Sequence, residues 1–544
     1  MQIRVENLEA RLLLASDLPV LSVDPIFEGD GFLAIASQND VSVAVSPIGD
    51  INADGFDDFA MVGLGGAPSP ERGNSHAAAY VIFGLVDIVR DLVPTNGGFS
   101  TAFFDPLDLD GTNGFVIPGA FPDKFGRLVA RIGDTDGDGI DDVAFSATKQ
   151  DDEGEFVSEV NVIYGRTDPW PQFVEPDFSI TGQPSSLPDA QRLGGGDVNG
   201  DGFSDIVIGT SRTETLHVVF GSDEPRSSFA TQSIDGTNGF RIELDKGRNR
   251  RNAYDHIEAA DVNGDGLDDV LIGGSIGNEG HVVFGSTDPF ASQISQQEFN
   301  GTNGFTLTHT DLRQLVGVGD VNNDGTDDLA VLSGGNDVDI LTGPVVATSG
   351  QMQISDFPDN NHIVFSGFES GVVGGSPQVT GPGDINGDGI DDLLFGNQNL
   401  PIANVGPGAG EVRVVFGHAS LESSHIDDTI GFGYRGETSE FGGSGVGASV
   451  HSLGDFDGDG INDLLFRYEP DNGGGAGVVI FGVERGFPGD ANQDNQIDFQ
   501  DFLILAEHFG EEDAVFAEGD FDGDGRVSFL DFLVLAESFG KSIA

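Results

Sequence analysis

From about Gly31 to Gly482 the chain alternates short apolar runs with short polar turns, and the same order of runs keeps returning. The runs span four to seven residues, are rich in β-branched and aromatic side chains, and are bounded by Gly, Asp and Asn. That pattern predicts β-strands. Each unit opens on a Val/Gly/Ala-rich run, as in Val41-Ser-Val-Ala-Val45 or Leu128-Val-Ala-Arg-Ile132. A second run follows an acidic turn, as in Asp205-Ile-Val-Ile-Gly209 and Asp269-Val-Leu-Ile-Gly273. A third ends in an aromatic residue and glycine: Val81-Ile-Phe-Gly84, Val162-Ile-Tyr-Gly165, Val218-Val-Phe-Gly221, Val282-Val-Phe-Gly285, Val414-Val-Phe-Gly417 and Val479-Ile-Phe-Gly482. The fifth unit departs from this, with Ile340-Leu-Thr-Gly343. A fourth run often follows Asn-Gly-Phe, at Asn113, Asn238 and Asn303. Four strands per unit, with unit starts 84, 63, 64, 59, 64 and 71 residues apart, predict seven propeller blades. The seventh unit lacks its fourth run, and Asp30-Gly-Phe-Leu-Ala-Ile35 carries the missing pattern. Phe32 to Ile35 is therefore expected to close the ring and hide its sheet edges.

The acidic turn is one nine-residue stretch seen seven times, with Asp at position 1, Asn or Asp at 3, Asp at 5, Gly at 6 and Asp at 9. The candidate ligand sets of the first four are Asp50, Asn52, Asp54 and Asp58; Asp134, Asp136, Asp138 and Asp142; Asp197, Asn199, Asp201 and Asp205; and Asp261, Asn263, Asp265 and Asp269. The last three are Asp320, Asn322, Asp324 and Asp328; Asp384, Asn386, Asp388 and Asp392; and Asp455, Asp457, Asp459 and Asp463. Oxygens at alternating positions converge when the loop curls, Gly at 6 permits the reversal, and the later carboxylate closes the shell. Hard oxygen ligands on a flexible loop select Ca²⁺. One copy would be an ordinary Asp-Gly turn; seven at a rough period are not.

Past residue 485 the period changes from two to that of a helix. Gly489 to Gly510 and Gly519 to Gly540 are two copies of a second acidic unit. Their oxygen ligands fall at positions 1, 3, 5, 9 and 12: Asp490, Asn492, Asp494, Asp498 and Asp501, then Asp520, Asp522, Asp524, Ser528 and Asp531. A helix is expected to begin at each last ligand. Phe502, Leu505, Ala506 and Phe509 share one face, and Phe532, Leu535, Ala536 and Phe539 repeat it. Two half-EF-hands of this size fold poorly without metal. The expected fold is thus an all-β seven-bladed β-propeller with a small α-helical calcium-binding C-terminal domain, divided as residues 1–16, 17–485 and 486–544. Up to nine Ca²⁺ sites are expected.

Composition narrows the partners. With 24 basic and 91 acidic residues the net charge is −67, which repels nucleic acid and anionic membrane. No apolar run reaches the ~18 residues of a membrane span. There is no Cys, so bound calcium takes the place of disulfide staples.

Three resemblances follow from these residues. The repeats resemble the FG-GAP repeats of the integrin α-chain propeller family: Phe125-Gly126 and Phe441-Gly442 stand before the innermost strand, and the acidic loop follows between strands one and two. The C-terminal pair resembles a type I dockerin, because the twelfth ligand is Asp. That resemblance implies attachment through a cohesin-like or surface partner. Dockerins of cellulases carry small hydroxyl residues at positions 10 and 11, where this chain has Phe499-Gln500 and Phe529-Leu530. At the N-terminus, Leu8-Glu9-Ala10-Arg11-Leu12-Leu13-Leu14-Ala15 is similar to a short motif on large exported proteins of planctomycete-type bacteria. It implies an extracellular or cell-surface protein.

No nucleophile motif, phosphate loop or zinc cluster is read in the sequence, and none of the ten His forms a ligand-spaced pair. His217 and His281 share one strand position, which reads as structural. Trp170 reads as a loop anchor rather than a sugar platform. Lys246-Gly-Arg248-Asn-Arg250-Arg251 is a basic stretch between the third and fourth units, on the face opposite the acidic loops. The expected function is a calcium-dependent adhesion protein that binds a protein or glycan ligand on that face. The rivals are a polysaccharide lyase or hydrolase on the same scaffold, and a structural surface-layer component.

Overall fold

The computed structural model describes residues 22–23, 32–35, 41–64, 78–84, 93–94, 100–104, 109–118, 124–150, 156–182, 190–210, 215–224, 226–244, 256–274, 278–333, 337–358, 361–366, 378–397, 410–418, 421, 423–425, 432–435, 447, 449–468, 476–482, 489, 491, 497, 499–510, 519 and 526–539. The basic stretch at 246–251, the N-terminal motif at 8–15 and Phe441-Gly442 lie outside them.

Seven sheets form the seven blades. The innermost strands are Val41–Gly49, Lys124–Gly133, Ala190–Gly196, His256–Ala260, Leu312–Gly317, Gln378–Gly383 and Val450–Gly454, and they open blades 1 to 7 in chain order. Each pairs antiparallel with the strand that begins at position 9 of its acidic loop, or one residue later in blade 5, from Asp58–Leu64 in blade 1 to Asp463–Tyr468 in blade 7. Third and fourth strands continue each meander outward. Phe32–Ile35 pairs antiparallel with Ala476–Ile480, Phe32 opposite Ile480, and so closes blade 7. Phe125-Gly126 lies inside the first strand of blade 2, with Phe125 opposite Ala147.

The sheets also hold a strand that the hydrophobic pattern did not reveal. Short segments from the next unit run parallel to the outer strand of the blade before: Ser228–Ala230 beside Phe178–Thr181, Gln293–Ser295 beside Gly239–Glu243, and Gln351–Gln353 beside Phe305–Thr308. Each is three residues with one buried side chain, Phe229, Ile294 or Met352, too short to show a period. Ser22–Val23 pairs with Phe432–Arg435 of blade 6, here antiparallel. The N-terminal region therefore contributes to two blades.

Apolar clusters fill the seams between blades. Val45, Phe59 and Met61 of blade 1 meet Leu453, Phe456 and Leu465 of blade 7, with the Phe59 and Phe456 rings 5.6 Å apart. Trp170 is buried and stacks on Phe115 at 4.4 Å, with the Arg166 guanidinium 4.5 Å from its ring. Phe290 stacks on Phe240 at 4.3 Å in the same way two units later. Trp170 is thus a loop anchor. In the tail, helices α1 (Phe499–His508) and α2 (Phe529–Ser538) enclose a small core of Ala491, Ile497, Leu505, Val527 and Leu535.

Candidate metal centres

Each acidic loop of the propeller is wound around the carboxylate at position 1. Asp134 Oδ1 accepts the amides of Gly137 and Asp138 at 2.6 and 3.1 Å, and Oδ2 accepts that of Gly139 at 2.8 Å. The Asp138 carboxylate at position 5 accepts the amide of Ile140 at 2.9 Å. The loops starting at Asp50, Asp197, Asp261, Asp320, Asp384 and Asp455 repeat the bond from the position-6 amide to Oδ2 at 2.7–2.9 Å. Gly at position 6 has φ between +83° and +92° in all seven. A Cβ there would meet nothing within 4 Å. The left-handed backbone, not space, demands glycine.

Carboxylates of two loops lie close together. Oxygens of Asp134, Asp136 and Asp138, positions 1, 3 and 5, lie within 4.8 Å of one another, as do those of Asp455, Asp457 and Asp463, positions 1, 3 and 9. These are the two loops with Asp at position 3. In the other five that position is Asn, and its amide nitrogen in three of them bonds the position-5 carboxylate, as Asn199 Nδ2 does to Asp201 at 3.0 Å.

Position 9 holds two jobs. Asp58, Asp142, Asp205, Asp269, Asp328, Asp392 and Asp463 are all 0% exposed. Oδ1 of each accepts the amide of the glycine that ends the third strand, Gly84, Gly165, Gly221, Gly285, Gly343, Gly417 and Gly482, at 2.7–3.0 Å. In six loops Oδ2 accepts the position-2 amide at 2.8–3.1 Å. The loop of blade 4 differs: Val262 N–H turns to the Ala260 carbonyl, and Asp269 Oδ2 is buried without a partner. Burial pushes these carboxyls up, to about 7 for Asp142 and about 8 for Asp269 and Asp328, and well above the ordinary range for Asp58, Asp205, Asp392 and Asp463. Neighbouring carboxylates of the same loop add to the rise. A desolvated carboxylate raised by like charges is one that a cation stabilises. Each oxygen that accepts one N–H keeps a second lone pair for a metal.

Position 8 was not among the expected functional positions, yet it ties the blades together. Asp57 Oδ2 in blade 1 accepts the Asp455 amide of blade 7 at 3.0 Å, while Asp57 N–H donates to the Asp455 carbonyl at 2.9 Å. Asp268 with Asp197, and Asp391 with Asp320, repeat this reciprocal clip. The residue before each loop, Gly49, Gly133, Gly196, Gly319, Gly383 or Gly454, makes room for the position-8 side chain, since a Cβ would come within 1.9–2.6 Å of it. Blade 4 has Ala260 there, and no clip bond joins Asp327 to Asp261 among the described residues. Crowding by Asp391, Asp261, Asp268 and Asp320 adds to burial and lifts Asp327 to about 6.

In the tail, Asp490, Asn492, Asp494, Asp498, Asp520, Asp522 and Asp524 lie outside the described residues. The twelfth-position residues Asp501 and Asp531 sit fully buried in the first turns of α1 and α2, and Asp531 Oδ2 accepts the Ser528 amide at 2.6 Å.

The dockerin type I domain model matches residues 488–539, and the FG-GAP repeat model matches residues 190–215, which hold the first strand, acidic loop and second strand of blade 3. The chain is thus a seven-bladed β-propeller with an FG-GAP repeat match in blade 3, followed by a tail that matches a dockerin type I domain. Both are extracellular-type modules of interaction or assembly, and dockerins bind calcium. Integrin alpha pat-2 of Caenorhabditis elegans is 27% identical over 251 residues, 41% of this chain. The match covers 19% of that integrin, so the chain spans about a fifth of its relative's length. Among solved structures, BBS1N in complex with ARL6DN overlaps 85% of this chain and 96% of its own at 11% identity, with a TM-score of 0.35. The biofilm matrix protein Bap1 of V. cholerae overlaps 55% and 40% at 13% identity, with a TM-score of 0.25. No helix among the described residues is long and apolar enough to cross a membrane.

Proposed function

We propose that this chain is a secreted or cell-surface adhesion protein whose propeller and dockerin tail both use calcium, the propeller to present a ligand-binding face and the tail to attach. The boundary between the two parts is taken at residue 485. The observation that carries the metal reading is the convergence of Asp134, Asp136 and Asp138, positions 1, 3 and 5, in a loop whose position-9 carboxyl, Asp142, is buried and pushed up to about 7. Residues at positions 1, 3, 5 and 9 of the propeller loops would hold Ca²⁺, as would positions 1, 3, 5, 9 and 12 of the tail loops. The ion supplies positive charge among crowded carboxylates; the chain's own amides hold those carboxylates in place. The acidic loops all join first to second strands, so they share one face. The ligand, a protein or a glycan, would meet the other face, and the basic stretch 246–251, in the sequence between blades 3 and 4, would be its contact for an acidic partner.

The tail has a feature suited to docking. Phe499, Phe502, Phe532 and Phe529 form one aromatic row across α1 and α2, with centroids 5.7, 6.2 and 5.8 Å apart. Phe499 and Phe529 at its ends are 60% and 62% exposed. A cohesin-like partner would meet this row with apolar surface instead of the hydroxyl contacts of cellulase dockerins. The test is capture of a cohesin-like receptor by the full chain with calcium, with chelator, and with Phe499→Ser plus Phe529→Ser. Calcium-dependent capture lost in the double variant supports the reading, and equal capture by all three refutes it. For the propeller, Arg248→Ser, Arg250→Ser and Arg251→Ser together should weaken binding of acidic glycans at low salt; unchanged binding removes the basic stretch from the ligand site.

A further inference from the structure

Hydrogen bonds through the main chain join the acidic loop of one blade to that of the next. The residue after the glycine that ends a third strand reaches back to the preceding blade, where its N–H donates to the carbonyl at loop position 2. Arg166 donates to Ile51 at 3.0 Å, Ser222 to Thr135 at 2.8 Å, Ser286 to Val198 at 2.9 Å and His418 to Val321 at 2.8 Å. The position-2 N–H holds Oδ2 of its own position-9 carboxylate, and the glycine N–H holds Oδ1 of the next blade's. Asp328 of blade 5 is thus tied to Asp392 of blade 6 by bonds in series. Val321 N–H donates to Asp328 Oδ2 at 3.1 Å, His418 N–H to the Val321 carbonyl, and Gly417 N–H to Asp392 Oδ1 at 2.8 Å. The same series links Asp58 to Asp142, Asp142 to Asp205, and Asp205 to Asp269.

Among the seams that the described residues show, the one between blades 4 and 5 alone interrupts the series. Pro344 follows Gly343 and has no N–H to give, so Val345 N–H takes the Val262 carbonyl instead, at 2.7 Å. Val262 N–H turns to the Ala260 carbonyl at 3.0 Å, and Asp269 Oδ2 is left without a partner. The position-8 clip is missing at the same seam. Apolar packing is not: Val262, Leu271, Leu315 and Val345 share one buried cluster. The two blades are in firm contact, yet their position-9 carboxylates are disconnected.

We propose that calcium binding is positively cooperative between neighbouring blades wherever this series is intact, and that the blade 4–5 seam insulates blade 5 from blade 4, an inference that rests on the calcium reading of the loops. Binding at one loop fixes its position-9 carboxylate. The bonds in series then steady the main chain that holds the next carboxylate. The second loop has less motion left to lose, so its affinity rises. The effect is reciprocal, each site changing the other by the same factor. Charge alone gives the opposite sign. A filled loop lowers the negative potential that draws calcium to its neighbour, and it does so across every seam.

The test is amide hydrogen exchange of the full chain, read loop by loop by mass spectrometry as Ca²⁺ is raised. It is run in about 1 M KCl, where a Debye length of about 3 Å screens charges on separate loops. Asp201→Asn removes a ligand charge from blade 3 and leaves an oxygen for the Phe203 N–H. It should raise the calcium midpoint of blade 3 and, by about fivefold or more, the midpoints of blades 2 and 4. Asp265→Asn in blade 4 should move blade 3 and leave blade 5 in place. Ser286→Pro copies Pro344 at an intact seam, and in its presence Asp201→Asn should no longer move blade 4. Neighbouring midpoints that stay fixed in Asp201→Asn, or that shift equally in blades 3 and 5 in Asp265→Asn, overturn the coupling while the calcium reading stands. Loops that calcium fails to protect at any concentration overturn both.

Discussion

The propeller loops and the tail loops use the same acidic residues on very different supports. In the propeller, position 9 is buried and its two oxygens hold backbone amides from two other parts of the same blade. The loop is also clipped to the next blade, and wide apolar clusters such as Val316, Val321, Leu393 and Phe395 pack beneath it. In the tail, Asp501 and Asp531 are just as buried, but beneath them lie five small or medium side chains. Backbone amides and core already hold the propeller loop in shape, so a cation there relieves charge. In the tail the loops make up most of the module, and a cation there organises it. Similar ligand chemistry thus plays a supporting part in one region and a founding part in the other.

The largest effect that follows is on the tail. Removing calcium should abolish the helical circular dichroism of α1 and α2 while the β signal of the propeller survives with a lower melting temperature. A module of about 50 residues has too little core to stay folded without its staples. Extracellular calcium modules bind at roughly 10⁻⁴–10⁻³ M, so the helical signal should return over that range. Simultaneous loss of both signals would break the distinction between the regions.

Within the propeller, Asp392→Ala should destabilise by about 2–6 kcal/mol, since it strands two buried amides at ~1–3 kcal/mol each. Asp269→Ala should cost about half as much, because Asp269 Oδ2 has no partner to lose. Both are measured by denaturant unfolding in the presence of chelator. Equal costs would mean that the bond from the Ile385 amide to Asp392 Oδ2 adds nothing to stability.

The seven blades, the closing strand and the acidic loops were legible because each recurs at a steady spacing. The reason for the Phe-Gly ending was not. The Gly417 amide reaches Asp392 across 25 residues, and nothing local in the sequence reports it. The clip was hidden for a related cause: Asp57 meets Asp455 across 398 positions, a partnership that exists once the ring is closed. Phe499 and Phe529 stood out as residue types in the sequence, but their joining into one row with Phe502 and Phe532 depends on how the helices pair.

A smaller effect comes from pH. Position-9 carboxyls titrate near 3.8 when unfolded and are raised in the fold, to about 7 for Asp142 and about 8 for Asp269 and Asp328. A raised carboxyl contributes stability that is fully present below its unfolded value and is lost as pH rises through its folded value. The metal-free propeller should therefore melt lower at about pH 8 than at about pH 6, and calcium should reverse the trend, because it binds the ionised form. A metal-free melting temperature that climbs with pH would contradict the raised values.

The smallest effect tests the clip itself. At six loops a glycine precedes position 1, and the neighbouring blade's position-8 side chain fills the space a Cβ would take; at Gly319 a Cβ would lie 2.1 Å from Asp391 Oδ2. Gly319 also has φ of +72°, so Gly319→Ala meets both a collision and backbone strain of about 1–3 kcal/mol. At blade 4 the methyl of Ala260 already occupies that space, which accounts for Asp327 standing apart from the Asp261 amide. Ala260→Gly should admit Asp327. It adds a hydrogen bond of about 0.5–1.5 kcal/mol and loses about 0.5–1 kcal/mol to the extra freedom of glycine, so net stability should hardly change. The local readouts should move: the Asp261 amide should exchange more slowly with solvent, and the Asp327 carboxyl should titrate lower than about 6 once it accepts that N–H. If Gly319→Ala is harmless, or if Asp261 exchange and Asp327 titration stay put in Ala260→Gly, the side chain at position 8 is a bystander and the blades are held by apolar packing and main-chain bonds alone.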